Sequence, residues 1–553
     1  MKNTVLSLLV IFYSCATVKQ DPVDYVNPFI GTENSIRPSI WEANGGTYPG
    51  AVLPFGMVQV TPEDYHFDTQ FIQSFSLLNH ITGYPHGSSG HFQIMPFSGK
   101  YDTLKNLGST FQHANEIAKP GYYAVLLDDY SVKAEMTATD HAAIFRFNFL
   151  ENNSNGIVMH GIDDAKMEGN RKLIGKCRGY YFVMEVNNPA IEIQMKEGKV
   201  VLQLDTKVKE VLLKIGFSLT NAEKAVDNLD AEIPVWEFEQ VKLAAQETWR
   251  NVLNKVIVES DNEIDKELFY TALYHTYLTP QIISDSGQPK RYAELSPWDT
   301  YKCKQPLITL LDRDIQSNMV QSVLEQYKQN GVMNPGAMTG VHNVPILVDS
   351  YFKGIDFDVN VAYEAMKASL LKAPYGRRDI KSFFEHNYVP AEKSYSVTKT
   401  MEYSYDFWAM AQLAKELGKT EDYNILIEKS QYFKNIYNPD TKFMTAKSLS
   451  GEWERGGYRE GDKWSYNWTS THDIQSLINL AGGKEEFVNQ LDTCFQTGKY
   501  FHDNEPPLHN AYLYAYAGQP WKTQEVVRNI LELDYSNQPG GLSGNDDLGA
   551  LSA

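Results

Sequence analysis

Residues 134–149 read Ala134-Glu-Met-Thr-Ala-Thr-Asp-His141-Ala-Ala-Ile-Phe-Arg-Phe-Asn-Phe149. On either side of Asp140, apolar and polar side chains alternate, the period of a half-buried β-strand. Ala190-Ile-Glu-Ile-Gln-Met195 repeats the pattern, and Asn152-Asn-Ser-Asn-Gly156 and Glu197-Gly198 read as turns between such strands. Many short strands at this spacing predict an antiparallel β-sandwich over residues 22–235. Next comes a run rich in Glu, Gln, Ala and Lys from Pro234 to Leu253, which predicts a linker helix within 236–264. From Asp265 the period becomes 3.6: Leu268, Phe269, Ala272 and Leu273 start one helix face, and Ile315, Met319, Val320 and Leu324 start another. Runs at 361–371, 401–417, 423–436, 474–480, 485–495 and 523–533 continue the series. The fold class is therefore α+β and multidomain. Periodicity alone leaves a closed α/α toroid and a straight bundle equally open for residues 265–553.

Upstream of the sandwich, Met1-Lys2-Asn3 precedes an apolar run from Val5 to Phe12 and then Tyr13-Ser14-Cys15. Residues 1–21 thus read as a secretory signal, too short to span a bilayer. Cys15 stands where a lipoprotein signal is cut and lipidated, which would anchor the protein to a membrane; an ordinary signal peptide fits the same residues. The remaining Cys177, Cys303 and Cys494 form no C-x-x-C pair, so neither a zinc site nor a disulfide framework is expected. With 50 basic and 69 acidic side chains, the net charge of −19 excludes a sequence-independent nucleic-acid binder. Aromatic residues make up 12% of the chain, a weak pointer to sugar stacking.

Chemistry concentrates in the loops of the second half. Tyr458-Arg-Glu460-Gly-Asp-Lys-Trp464-Ser-Tyr466-Asn-Trp468 places a carboxyl among aromatics, where desolvation can raise its pKa as a general acid requires. His502-Asp-Asn504-Glu505-Pro-Pro507 packs oxygen ligands suited to a hard cation. Gly544-Asn545-Asp546-Asp547-Leu-Gly549 exposes carboxylates on a glycine-flanked turn. Pro297-Trp298-Asp299-Thr300 pairs a ring with a carboxylate, a combination suited to a pyranose. His342, after Thr339-Gly340, reads more readily as a structural histidine than as a catalyst. Taken alone, the loops around Glu460, Asn504-Glu505 and Asn545–Asp547 each read more readily as an ordinary solvated acidic segment. Together, two separated acidic clusters, a cation site and aromatic platforms are what glycosidic bond cleavage needs.

The residues also resemble glycoside hydrolase family 92, the calcium-dependent exo-acting α-mannosidases. The resemblance is carried by Val26-Asn-Pro-Phe-Ile-Gly-Thr32, Gly46-Thr-Tyr-Pro-Gly-Ala-Val-Leu-Pro-Phe-Gly-Met-Val-Gln59, Asn79-His80-Ile-Thr-Gly83 and Trp298-Asp299-Thr300. Further along come Lys399-Thr-Met-Glu-Tyr-Ser-Tyr-Asp406, Glu460-Gly461 with Trp464 and Tyr466, Asn504-Glu505-Pro506 and Gly544-Asn-Asp-Asp547. These motifs run in order through almost the whole mature chain. The resemblance implies a β-sandwich followed by an (α/α)6 barrel, and hydrolysis with inversion of configuration. By position it makes Glu460 the general acid and Asp547 the general base, supported by Asn545 and Asp546. It places Ca2+ on Asn504 and Glu505, and the substrate against Trp298, Asp299, His80, Trp464 and Tyr466. The expected substrates are mannose-terminated glycans such as N-glycans or mannans, and the expected location is the periplasm or outer membrane of a Gram-negative bacterium. A glycan-binding homologue without turnover is the alternative. Ser470-Thr471-His472-Asp473 departs from the family pattern, as does the turn after Gly83, so linkage specificity and oligomeric state are not readable. The chain stops at Leu551-Ser552-Ala553, inside a motif that the family continues, which implies a C-terminally incomplete barrel of reduced stability.

Overall fold

A computed structural model describes residues 21–37, 44–79, 82–84, 90–101, 107–151, 154–196, 198–293, 296–334, 336, 338–371 and 379–553. The expected order holds: an antiparallel sandwich first, then a helical domain. The larger sheet has eight strands, in spatial order Asp164–Glu168, Lys172–Cys177, Tyr180–Val186, Glu210–Ser218, Ala142–Phe149, Val132–Ala138, Tyr122–Leu127 and Glu116–Lys119. The facing sheet has seven, with Gln93–Ser98 and Asn155–His160 at its middle and Glu192–Lys196 at one edge.

Strand Ala142–Phe149 shows how the alternation is used. Phe145 pairs with Met136 on one side and Leu213 on the other, and Phe145, Phe147 and Phe149 point into the inter-sheet core. The intervening Ala142 and Ile144 are also fully buried. They lie under two helices, Ala222–Glu232 and Phe238–Leu253, through Ala225, Leu229, Phe238 and Val241. The strand is therefore covered on both faces over its first half, which is why its polar residues appear only at Arg146 and Asn148. Helix Ala222–Glu232 falls in a stretch read as sandwich, and its Asn221 cap, accepting from the Lys224 amide at 2.8 Å, is the local signal for it. The expected linker helix begins at Phe238 and ends at Leu253; a separate helix, Glu263–Thr276, starts after its own Asn262 cap.

The two domains meet over an apolar seam in which Tyr48, Val52 and Phe55 pack on Trp249, Tyr274 and Tyr277. Buried polar bonds fix its register: the Trp249 indole donates to the Val52 carbonyl at 2.7 Å, and the Gln59 amide to the Leu278 carbonyl at 2.6 Å. The helical domain centres on Ser396–Glu416, whose buried residues include Glu402 and Asp406. Two short hairpins, closing at Tyr437–Met444 and Ala446–Glu454, interrupt the helices just before Glu460; helical periodicity gave no sign of them. Cys177 and Cys494 are buried free thiols. Among the described residues no helix is long and apolar enough to cross a membrane.

Candidate active site

Three loops of the helical domain and one edge of the sandwich build a single acidic pocket. The Gly544–Gly549 loop is tied to the sandwich through its backbone: the amides of Asp546, Asp547 and Leu548 donate to the carbonyls of Gly45, Gly83 and Thr82 at 2.9, 3.2 and 2.9 Å. The approach is so close that a Cβ on Gly83, whose φ is +85°, would sit 2.3 Å from the Asp547 nitrogen. Asp547 and Leu548 both take left-handed conformations, with φ of 43° and 62°. Such strain in consecutive non-glycine residues persists only where the surroundings hold it. Here the sandwich amide bonds do so, together with Lys304, whose buried ammonium binds the Leu548 carbonyl and the Thr279 carbonyl, the latter at 2.7 Å.

Glu460 also takes a left-handed conformation, at φ 47°. Tyr466 donates to the carbonyl of Arg459 at 2.5 Å, and Asp462 caps the short helix Lys463–Tyr466. Thr398 accepts from the Arg459 amide at 2.9 Å. Trp464 supports the same loop from below, edge-on to Phe443 with centroids 4.7 Å apart and tilted against Trp468 at 6.3 Å. The desolvation that the aromatic flanks suggested for Glu460 falls elsewhere. Its side chain is 32% exposed and paired with Arg459 at 3.0 Å. Its other carboxylate oxygen faces the Asn504 amide at 3.5 Å, and that amide also donates to the Glu460 carbonyl at 3.2 Å.

The buried acids of these loops include Asp299, Glu505, Asp546 and Asp547. Burial pushes the Asp299 carboxyl up to about 7, with the nearby charge of Glu460 adding to it, against a hydrogen bond at 2.6 Å from the Tyr84 hydroxyl. Glu505 and Asp547 are raised well above the ordinary carboxylate range, first by burial and then by the charges of neighbouring acids. Each is raised by Asp299, and Glu505 lies within hydrogen-bonding reach of Asp547. Lys302, beside Glu505, is spent on the carbonyls of Glu505 and Pro506 at 3.0 and 3.1 Å, and burial lowers its ammonium to about 8. Glu505 Oε2, Asn545 Oδ1 and Asp546 Oδ2 are buried without a partner among the described residues, while Asp546 Oδ1 accepts from the Ser552 amide at 3.1 Å.

A second buried network stands behind Trp298. Its indole donates to Glu402 at 2.7 Å, and Glu402 approaches His342 at 3.9 Å. His342 meets Asp406 at 2.9 Å and stacks on Tyr301 at 4.1 Å. Although burial alone would lower His342, the two carboxylates outweigh it and raise the imidazolium to about 9. The Val341 amide binds the second Asp406 oxygen at 2.7 Å. His342 is thus the structural histidine that its sequence context suggested.

Of the residues singled out in the sequence, Glu460, Asn504, Glu505, Asp299 and Asp547 are brought together. Trp298 and Asp299 share one short helix, Pro297–Thr300. Tyr466 acts on the Glu460 backbone, and the Trp464 ring is held within the loop's own aromatic cluster. His80 lies outside the described residues. Sequence reading passed over Tyr84, Lys302, Lys304 and Arg459. The lysines sit four and six residues past Trp298 and could have been noticed there, whereas Tyr84 has no local signal.

Comparison with known proteins agrees with this geometry. The glycosyl hydrolase family 92 N-terminal domain matches residues 25–227, and the family's catalytic domain matches residues 224–553. The family GH92 α-mannosidase BT3965 from Bacteroides thetaiotaomicron is 29% identical, with a TM-score of 0.88 over 96% of this chain and 83% of that one. The inverting mannosidase BT2199 from Bacteroides thetaiotaomicron VPI-5482 is 27% identical, with a TM-score of 0.89 over 96% and 85%. An uncharacterized secreted glycosidase from Arthroderma benhamiae is 24% identical over 97% of this chain and 82% of its own. This chain belongs to glycoside hydrolase family 92.

Proposed function

We propose that this glycoside hydrolase is an exo-acting α-mannosidase that inverts configuration as it releases terminal mannose from glycans such as N-glycans or mannans. The observation that carries the reading is the convergence of Glu460, Asp299, Glu505 and Asp547 in one pocket built by both domains. Solved relatives of that architecture are α-mannosidases.

In this reading Glu460 gives its proton to the glycosidic oxygen as the bond to the anomeric carbon breaks. Asp547 takes a proton from the water that adds to the opposite face of the ring. An inverting pair needs a separation of roughly 6.5–9.5 Å to admit that water. Asn545 and Asp546 hold the strained turn that aims Asp547. Trp298 offers a face to the terminal sugar and Asp299 holds its hydroxyls. Tyr466 and Trp464 fix the wall that carries Glu460, and His80 is assigned to the rim.

The donors suit a calcium ion. Glu505 is a buried carboxylate with one oxygen unpartnered among the described residues, and the ammoniums of Lys302 and Lys304 nearby are engaged by backbone carbonyls. Asn504 and Glu505 would hold the ion. Among the described residues no three His, Cys, Asp or Glu side chains form a ready cage, so the other oxygens would come from carbonyls, water and the sugar. When bound, the ion supplies a Lewis acid for the cis 2- and 3-hydroxyls of mannose. Export is supported by the signal-like residues 1–21 and by a secreted relative. Lipidation at Cys15, with residence in the periplasm or on the outer membrane of a Gram-negative bacterium, completes the proposal.

The test is mannose release from α-1,2-, α-1,3-, α-1,4- and α-1,6-mannobiose, with calcium, with a chelator, and with Glu460→Gln. Calcium-dependent release of β-mannose that is lost in Glu460→Gln is expected. Release of another sugar, or of α-mannose as first product, would overturn the reading.

A further inference from the structure

A cavity of about 180 Å³ lies against the turn Pro297–Thr300, and none of Asp299, Glu460, Glu505 and Asp547 lines it. Pro297 and Thr300 form part of its wall, while the intervening Trp298 and Asp299 serve the network and site described above. Its opposite wall is one face of helix Arg313–Asn330, where Gln316, Met319, Val320, Val323 and Gln326 recur at helical spacing. An inward helix face of this kind would ordinarily be apolar throughout. Here two glutamines bracket the apolar strip.

The side-chain oxygens of those glutamines are buried without a partner among the described residues. Gln316 is fully buried; its amide nitrogen donates to Ser350 at 3.0 Å, yet its Oε1 has no partner among the described residues. Gln326 Oε1 and Gln305 Oε1, both lining the same cavity, are likewise buried and unpartnered. Arg291 completes the set. Its terminal nitrogens serve Glu325 at 2.7 Å and the Lys290 carbonyl at 2.9 Å, but its Nε–H is buried without a partner. Three acceptors and one donor therefore belong to residues that line a space walled also by the apolar Met319, Val320, Val323, Ile346 and Leu347 and by the polar Thr300, Ser322, Glu325 and Asn343. Buried polar groups are ordinarily satisfied by protein, water or a bound molecule, so four in one cavity make it a polar niche suited to a hydrogen-bonding guest.

We infer that this cavity is a second binding site, for one small neutral polyhydroxy compound such as a polyol or a free monosaccharide. Hydroxyl groups donate to the three amide oxygens and accept from Arg291 Nε, and the C–H faces of the same molecule cover the apolar strip. A carboxylate or phosphate is disfavoured, because amide oxygens repel it and the Arg291 guanidinium is already paired with Glu325. The exposed Gln329 at the edge marks the side open to solvent.

The test is ligand-observed saturation-transfer NMR with erythritol and, separately, mannose, on the full chain. Four proteins are compared: wild type, Glu505→Gln, Val323→Trp to fill the cavity, and the double variant Gln316→Leu/Gln326→Leu. Saturable binding of at least one probe that persists in Glu505→Gln is expected. It should weaken by about tenfold or more in Val323→Trp and in the double variant, which loses two hydrogen bonds. Should Val323→Trp fail to fold, the shape-conserving double variant decides. Absence of saturable binding by either probe, as a cavity filled only by water would give, overturns the inference, and so does binding that survives the double variant. Mannose binding that vanishes in Glu505→Gln with no residual site also overturns it, while leaving the proposed active site intact.

Discussion

The molecule buries ionisable groups in two neighbouring places and treats them in opposite ways. Behind Trp298, His342 lies between Asp406 and Glu402, and every charge has an opposite charge or a donor close by. In the acidic pocket, Asp299, Glu505 and Asp547 face one another, and the adjacent lysine is turned to backbone carbonyls. The first arrangement stabilises the fold and orients a ring. The second keeps like charges together at a cost in stability, which is how catalytic sites hold carboxyls with altered proton affinity. Removing a charge should therefore have opposite signs of effect in the two places.

The largest effect expected is on rate. Glu460→Gln should lower kcat on a mannoside about 10²- to 10⁴-fold, the usual contribution of a general acid, with an unchanged melting curve. An unchanged rate would take Glu460 out of the mechanism. In the paired network, Asp406→Ala leaves His342 and the Val341 amide without their partner and should cost about 3–5 kcal/mol in denaturant unfolding. A loss below 1 kcal/mol would show that the network is only decoration around the Trp298 indole.

Calcium should act on the acidic pocket alone. At a hundredfold excess over its dissociation constant it should stabilise the protein by about 2.7 kcal/mol, read as a shift in melting temperature. The shift should disappear in Glu505→Gln and survive in Asp406→Ala. A shift retained by Glu505→Gln would move the ion elsewhere.

Effects on pH dependence separate the two regions most sharply. Asp299 has its folded pKa raised to about 7, so its contribution is fully present near pH 4 and lost as pH rises to about 7. Asp299→Asn should remove that decline and be the more stable protein above pH 7, although less active. His342 is also raised, to about 9, but by its partners; its stabilisation is full below pH 6.5 and fades as pH rises through 9. His342→Gln should be the less stable protein at pH 6, with the gap closing by pH 10. Melting temperatures across pH 4–10 for the three proteins check both signs. Two variants that shift in the same direction would erase the distinction.

Local patterning was enough for much of this architecture. The alternation of 134–149 and the helical runs at 361–371 and 401–417 match observed elements to within a few residues at most ends. Backbone preference and side-chain period act over a handful of neighbours, and such information is written locally. Helix Ala222–Glu232 escaped because its few buried positions, Ala225, Asn228 and Leu229, make a weak stripe that gains its meaning only against Ile144 and Val183 of the sheet. The hairpins between 437 and 454 are too short for a period to register.

The candidate site divides along the same line. Acidic, glycine-rich and aromatic loops made 298–299, 460, 504–505 and 545–547 the candidates, because several such loops in one chain are a combination that any single acidic turn is not. The sequence by itself determined the two-part fold, the signal-like start, the residue types of the site and, through ordered motifs, the family. Only the tertiary structure decided that the sandwich carbonyls of Gly45, Thr82 and Gly83 hold the Asp547 turn in its strained shape. It also decided that burial falls on Asp299, Glu505 and Asp547 rather than on Glu460, and that His342 is bound in an ion-paired network. Desolvation and charge coupling depend on which distant segments meet, and no local stretch of chain contains that information.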